Sequence, residues 1–181
     1  MSLSLSLTEA QAMTAFGNFI AGLGIVPNGQ ISRGQQNQVA LSSGPNWIKM
    51  TPLMRPRLST PVDAISVSGS GTLAVTTGSV TTTFRMDVQV DCYGPLAEDT
   101  ATYIAAFWRD QYAYNAMQGT GVVPLYHSDM RNLTFINDQA QYEYRWSLDL
   151  SAEIDPIVTY ASQSADTLTG GVFNVDATFP P

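Results

Sequence analysis

The sequence is poor in charged residues. Asp, Glu, Lys and Arg make up 13% of its 181 residues, about half of the ~25% that is usual in soluble globular domains. The surface must therefore be built largely from Ser, Thr, Gln, Asn and Gly. Such a surface suits a protein whose exterior is covered by partners, and it suits a Thr- and Ser-rich soluble domain equally well.

The few charges are unevenly distributed along the chain. Up to Met86, five bases stand against two acids, a net charge of +3, and from Asp87 onward three bases stand against thirteen acids, a net charge of −10. No cluster of Lys or Arg is present to grip a phosphate backbone. The asymmetry makes the subunit electrically polar, which would help copies to dock in a fixed order, although two solvated ends explain it as well.

Residues that carry catalysis are also scarce. Cys92 is the one cysteine and His127 the one histidine, and nothing in the sequence brings the thiol to the histidine base that nucleophilic catalysis usually needs. A single cysteine forms no internal disulfide, so no oxidising compartment is implied. We predict no enzymatic activity and no cofactor.

Long apolar runs are missing. No run approaches the ~20 residues of a membrane span, and the Ser-Leu alternation from Met1 to Leu7, without a basic start, argues against a signal peptide. Gly69-Ser70-Gly71 and Gly119-Thr120-Gly121 lack the lysine of a phosphate loop. We therefore expect neither a membrane nor a nucleotide partner.

The most informative stretch runs from Thr82 to Met117, where a strand leads into a helix. Apolar and polar residues alternate from Phe84 to Tyr93, which gives a strand one apolar and one polar face. Gly94-Pro95 ends the strand, and proline suits a first helical turn. Apolar residues then recur at helical spacing: Ala101, Ile104, Ala105, Trp108 and Tyr112. Three aromatic residues, Tyr103, Phe107 and Tyr114, lie off this stripe, so a second apolar face needs cover from another helix or another subunit.

Weaker patterns complete the order of elements. Thr8 to Gln11 has the form of a capping box and predicts a helix that ends at Gly24. Pro27 to Pro45 predicts a long loop, and Asn46 to Leu53 a strand. The Ser-, Gly- and Thr-rich stretch after it predicts a ribbon with a turn near Ser68 to Gly71. The longest alternation, Tyr142 to Ile154, pairs as a hairpin with a strand in Arg131 to Ile136 through a turn at Asn137 to Ala140.

This order predicts an α+β fold, in which α-helices pack on one face of an antiparallel twisted β-sheet and an extended β-hairpin forms an arm. We assign residues 1–160 to the domain, with 61–82 as a β-ribbon insertion, and residues 161–181 to a C-terminal tail or arm. The aromatic residues recur at helix and strand periods, which favours core packing over a ligand platform.

Two runs resemble bacteriophage neck and tail terminator proteins. FRMDVQVDCYGPLAEDTATYIAAFWRDQYA is similar to their strand, Tyr-Gly-Pro turn and helix, and DMRNLTFINDQAQYEYRWSLDLSAEI resembles their final hairpin, whose long strand bears an arginine, here Arg145. The helix from Thr8 and the strand at Trp47 fall in the expected order. The resemblance covers most of residues 8 to 160.

The resemblance implies a structural virion protein of a tailed phage, assembled in the host cytoplasm. Such proteins form rings, typically hexameric, that cap the finished tail tube and join it to the head, with DNA passing through the lumen. Its partners would be further copies of itself, the tail tube and the head connector. Two alternatives stay open: a tail-tube or head-closure (connector) component, and a monomeric α+β module that binds a small ligand on its aromatic hairpin.

Two groups of functional residues follow. Four carboxylates recur at a spacing of four on strand faces and could line a lumen, since carboxylates repel phosphates: Asp87, Asp91, Asp149 and Glu153. A carboxylate pair, a weak Ca²⁺ site and a solvated strand face are the alternatives for them. We expect inter-subunit contacts at six further residues: Arg33, Arg55, Arg57, Phe107, Trp108 and Phe173.

Overall fold

The computed structural model of the chain describes residues 3–35, 44–69, 75–136 and 140–162. Its helices are α1 (Glu9–Gly22), α2 (Ala97–Trp108) and α3 (Gln111–Met117), and a short 3-10 turn spans Asn28–Gln30. Its strands are β1 (Leu3–Leu5), β2 (Ile31–Arg33), β3 (Trp47–Met54), β4 (Val62–Ser68), β5 (Val75–Thr81), β6 (Phe84–Tyr93), β7 (Val122–His127), β8 (Arg131–Asn132), β9 (Phe135–Ile136), β10 (Tyr142–Glu143), β11 (Arg145–Ile154) and β12 (Ile157–Ser162).

A central sheet has the strand order β2-β3-β6-β11-β7, and β8 also pairs with β11. Its middle is the antiparallel pair of β6 and β11, whose register runs from Arg145 opposite Tyr93 to Ile154 opposite Phe84. The short pair of β2 and β3 is parallel, and the other pairs in this sheet are antiparallel. β9 and β10 form a separate short hairpin.

The helices cover one face of the central sheet. α2 lies over β6, β11 and β7, whereas α1 lies over β2 and β3 and packs against α3. Strand alternation turns one row of side chains from β6 and β11 into this core. Phe84 and Trp146, at the ends of the row, are half-buried, and the rest of the row is buried: Met86, Val88, Val90, Cys92, Leu148, Leu150, Ala152 and Ile154. Trp108 joins the helices, because its ring lies 5.2 Å from the rings of both Phe16 and Phe19. The predicted α+β class, with helices on one face of an antiparallel sheet, is confirmed.

The first helix begins and ends where its sequence signals predict. The Thr8 side chain accepts a hydrogen bond from the backbone N–H of Gln11, and the Gln11 side chain accepts one from the backbone N–H of Thr8, which completes the capping box. Leu23 caps the C-terminus, and Gly24 follows with a φ of 66°. Glycine adopts this left-handed conformation without the steric cost that a Cβ brings.

The two central strands continue into a second sheet, which we call the arm, with the order β1-β12-β5-β4. The register is unbroken across the junction, since Ile154 lies opposite Phe84 and Ile157 opposite Thr81. β4 pairs with β5 as the predicted ribbon, and β1 pairs with the outer edge of β12. The ribbon is therefore one half of a four-stranded arm.

The helix predicted through Tyr112 is interrupted, and this corrects the prediction. α2 ends at Trp108 and α3 begins at Gln111, and between them Asp110 has an extended backbone with φ −91° and ψ 162°. The Asp110 carboxylate accepts a hydrogen bond of 2.9 Å from the backbone N–H of Tyr112. Aspartate is a favoured N-cap because it satisfies a backbone donor that has no partner within the helix, so it starts a new helix here.

Several short strands were not predicted. β2 lies inside the stretch predicted as a loop from Pro27 to Pro45, and β7 follows the predicted glycine loop. β7 carries Pro124, and within the described ranges it pairs with β11 alone, with a register shift at Ser151 and Ala152. This position agrees with the confinement of proline to edge strands and bulges. β12 runs through residues 160 and 161, so the proposed domain boundary falls inside a strand.

Some predictions lie wholly or partly outside the described residues. These are the turns at Ser68 to Gly71 and at Asn137 to Ala140, the β-prone Leu73, and the tail from residue 163 onward. Within the described ranges, no helix combines the length and the apolar character that crossing a bilayer requires.

Candidate assembly surfaces

The face of the central sheet opposite the helices carries ion pairs rather than free carboxylates. Asp91 is 3% exposed and accepts hydrogen bonds from Arg145 Nη2 at 3.0 Å and from Gln89 Nε2 at 2.9 Å. The Arg145 guanidinium also lies 5.6 Å from the ring centroid of Tyr93, which stacks on Trp47 at 3.8 Å. These residues tie β3, β6 and β11 together, and burial together with Asp91 raises the pKa of the Tyr93 hydroxyl.

Two more carboxylates on this face have partners. Asp87 pairs with Arg85 at 3.0 Å and accepts a hydrogen bond of 2.6 Å from Ser151 Oγ, and the same contact with Asp87 raises the pKa of Arg85. Asp149 Oδ2 accepts a hydrogen bond of 2.8 Å from Arg131 Nη2. Glu153 lies opposite Arg85 in the register.

The charge of this face is balanced, which corrects the prediction of an acidic surface. The cross-strand register puts four bases on the same face as the four carboxylates: Lys49, Arg85, Arg131 and Arg145. Sequence alternation identified the face correctly, but the cancelling arginines come from neighbouring strands that only the register brings together. Whether this face lines a lumen stays a prediction.

No three His, Cys, Asp or Glu side chains within the described residues lie close enough together to hold a metal ion. Cys92 is buried in the core, and burial raises the pKa of its thiol to about 12. A thiol with this pKa stays protonated near neutral pH and is a poor nucleophile.

The arm has a mainly apolar face and a more polar face. Cross-strand pairing places a row of apolar side chains on the first face, together with Asp63 and Thr76, and most of the apolar side chains are exposed: Leu3, Leu5, Ile65, Val67, Val80, Val158 and Tyr160. The second face is rich in hydroxyls, such as Ser4, which hydrogen-bonds Thr159 across the strands, and it also carries Val62, Val75 and Ile157. Ile65 is 70% exposed and Leu3 67%. We call this row the arm apolar face, and no described part of the chain covers it.

A second exposed apolar surface lies on α2. Tyr103 is 50% exposed and Phe107 40%, and with Asp99 they recur at a spacing of four along one side of the helix, where Ala106 is also exposed. We call these four residues the α2 stripe. The helix thus has the predicted second apolar face. This face is exposed to solvent, because α1 packs against the side of α2 that carries Trp108.

The structure distributes the predicted contact residues unequally. Trp108 is 1% exposed and stacks on Phe16 inside the subunit, so it has no surface to offer a second subunit, and that prediction is corrected. Arg33 forms an ion pair with Glu9 within the subunit, and Arg55 lies 3.9 Å from the same carboxylate. Arg57 and Phe107 are exposed. Phe173 lies outside the described residues.

The aromatic residues of the predicted hairpin lie outside the larger cavities that the described residues form. Trp146 packs against the core, whereas Tyr142 and Tyr144 are exposed by 72% and 53%. The larger described cavities, of about 440 and 460 Å³, lie on either side of α1 and include none of these three residues.

Sequence reasoning missed two surfaces. The arm apolar face combines four strands, and its members become neighbours only through the register, although Ile65 and Val67 alternate with serines in the sequence. An exposed group beside Arg55 and Arg57 was also missed: Leu53, Met54 and Leu58, which are 46%, 58% and 50% exposed. In the sequence, the one indication of this surface is that Arg55-Pro56-Arg57 interrupts the strand.

Comparison with known proteins identifies the family of the chain. The family model described as phage neck terminator protein matches residues 10–178. A search of the curated proteins finds no match. The matched range takes in the central sheet, the helices and all arm strands except β1.

Proposed function

We propose, from the premise that this chain belongs to the family of phage neck terminator proteins, that its copies assemble into a ring, of six subunits, at the neck of the virion. The family is one of structural proteins of the phage virion. In our proposal the ring caps the finished tail tube and joins it to the head, and it assembles in the host cytoplasm. The proposal includes no catalytic step.

The arm apolar face is the observation that carries this proposal. A four-stranded sheet that leaves Leu3, Ile65 and Val67 exposed along one face is an aggregation hazard in a monomer. A defined assembly that covers the face removes the hazard, and burial of apolar side chains then stabilises the assembly by ~25 cal/mol per Å². We propose that a neighbouring copy provides this cover.

The same assembly gives the polar face of the central sheet a role. We propose that this face looks into the lumen, so that Asp87, Asp91, Asp149 and Glu153 lie along the path of the DNA. Because four bases balance these carboxylates, the wall would neither attract nor strongly repel the phosphates. A structure of the assembled ring tests this, and carboxylates on its outer wall would refute it.

The first test is the mass of the assembly in solution, measured by light scattering and followed by negative-stain imaging. We expect a mass of six times 19.6 kDa and ring-shaped particles. If the purified protein is monomeric, the same measurement is repeated with tail tubes added, since a ring protein can assemble on its partner. A chain that stays monomeric and does not bind tubes contradicts the proposal.

A further inference from the structure

One surface at the base of the arm is apolar and basic at once. Leu53, Met54 and Leu58 are about half exposed and flank Arg55 and Arg57, where β3 gives way to the connection with β4. We call these five residues the basic edge. Exposed apolar side chains next to charged ones are typical of interaction surfaces, whose apolar centre is surrounded by a polar rim.

The basic edge contains a groove of about 260 Å³ that is lined by Pro52, Leu53, Met54, Arg55 and Met86. Glu9 and Gln35 complete the lining, and the Glu9 carboxylate is already paired with Arg33. Methionine side chains adapt to aromatic rings, and a guanidinium is attracted to a ring face. The chemistry of the lining is therefore compatible with an aromatic side chain.

The positive charges of the two arginines in the basic edge are only weakly balanced within the subunit. Arg57 is exposed, and within the described ranges it forms no ion pair. Arg55 makes two distant contacts from Nη2, each of 3.9 Å, with the Glu9 carboxylate and with Met86 Sδ, and Glu9 already has a closer partner in Arg33. A partner that carries a carboxylate next to an aromatic ring would match both features.

The α2 stripe has this chemistry. It presents two exposed rings, Tyr103 and Phe107, one turn apart, and Asp99 one turn before them. No ion pair of Asp99 is formed within the described part of the chain. The two surfaces are therefore complementary: the α2 stripe offers a carboxylate and aromatic side chains, and the basic edge offers arginines and a groove.

The two surfaces lie on different elements of the subunit. α2 lies over β6, β11 and β7, whereas the basic edge belongs to β3, which is separated from β11 and β7 by β6. α1 lies over β3 and β2 on that side. Two different and complementary surfaces on one chain give a head-to-tail contact between copies, which closes into a ring when the rotation between copies allows it.

We propose that the basic edge of one copy binds the α2 stripe of the next copy. The aromatic side chain of Phe107 or Tyr103 occupies the groove beside Met54, and Arg57 of the first copy faces Asp99 of the next copy. This inference rests on the proposed function, because it names the contact by which copies of the chain would form their ring. The apolar groove supplies the centre of the contact and the charge pair sets its direction.

The test is a charge reversal with rescue. Arg57→Glu and Asp99→Arg are each expected to raise the protein concentration needed for half-assembly about tenfold, because each puts like charges opposite each other. The double variant restores the attraction with the signs exchanged and is expected to assemble like the wild type. Asp129→Arg is the control, since it makes the same charge change at an exposed loop residue outside both surfaces.

Each outcome has a distinct meaning. Assembly is measured by light scattering, with tail tubes present if the wild type requires them, and circular dichroism checks that each variant is folded. If the wild type assembles and neither charge reversal weakens its assembly, the proposed contact is wrong, but the proposal of a ring still stands. Reversals that abolish tube binding without changing the mass assign the surface to another phage protein and overturn the second copy as its occupant. A wild type that never assembles overturns both proposals.

Discussion

At the scale of single residues, the polar face of the central sheet shows how a carboxylate can be buried without destabilising the fold. Asp91 is almost fully buried, yet Arg145 and Gln89 both donate hydrogen bonds to it. A buried charge is costly when it is unpaired, and much less so when its partners are in place. Removal of Arg145 would leave the Asp91 carboxylate buried without a cation, and this cost is the main effect of the arginine on stability.

We therefore expect Arg145→Ala to lower the free energy of unfolding by about 2–3 kcal/mol, because it leaves the Asp91 carboxylate without its cation. The value lies at the low end for a buried pair because Arg145 is 27% exposed. Chemical denaturation of the purified variant measures it. The control is Arg131→Ala, whose ion pair with Asp149 is half exposed on the arginine side and should contribute no more than about 1 kcal/mol. Equal losses in the two variants would contradict the prediction.

Cys92 gives a prediction about pH. The pKa of its thiol is about 12 in the folded chain, against an ordinary value of 9.0, so above pH 9 the unfolded chain loses this proton and the folded chain keeps it. The contribution of this thiol to the free energy of unfolding is therefore fully present below pH 9. It falls by about 1.4 kcal/mol per pH unit as the pH rises towards 12. Cys92→Ala is less stable overall but should lack this part of the slope. Denaturation curves of both proteins between pH 8 and 10.5 test the difference, and parallel slopes would refute it.

At the scale of elements, the turn from β6 into α2 depends on one glycine. Gly94 has a φ of 100°, and a Cβ built on it would collide with the Pro45 carbonyl oxygen. We expect Gly94→Ala to cost about 3 kcal/mol or more, since backbone strain and a steric clash act together. Gly119 is the matched control, because its φ of 75° is similar but no atom lies within 4 Å of an added Cβ. Gly119→Ala should cost about 1 kcal/mol, from strain alone. Thermal or chemical denaturation compares the two.

The same elements show what the sequence can predict and what it cannot. Strict alternation locates β6 and β11, and the capping box locates α1, because both signals are local and arise from the residues that form the element. β7 and β1 are visible only in three dimensions, since their short sequences become strands by pairing with edges that the rest of the chain provides. The balance of charge on the polar face was unpredictable for the same reason: Asp91 and Arg145 lie 54 positions apart, and only the register makes them neighbours.

At the scale of the whole molecule, the arm is the part of the subunit that its own core does not explain. Its strands continue β6 and β11 beyond the end of the helical layer, so one face that would normally pack against helices has no cover among the described residues. A sheet face of this kind gains free energy only when another molecule buries it. The alternation along β4 allows this to be tested with two neighbouring residues.

Ile65 and Ser66 are adjacent in β4 and both are exposed, but Ile65 belongs to the arm apolar face and Ser66 to the opposite, polar face. Aspartate is disfavoured in strands, but both residues are exposed, so neither substitution should unfold the monomer. If the apolar face is buried between copies, Ile65→Asp places a charge in that interface and should shift assembly to at least tenfold higher protein concentration, whereas Ser66→Asp should leave it within about twofold. Light scattering across a dilution series gives both values. Weakening by Ser66→Asp alone would mean that the polar face is the one that is covered, and the arm would then have to be oriented the other way in the assembly.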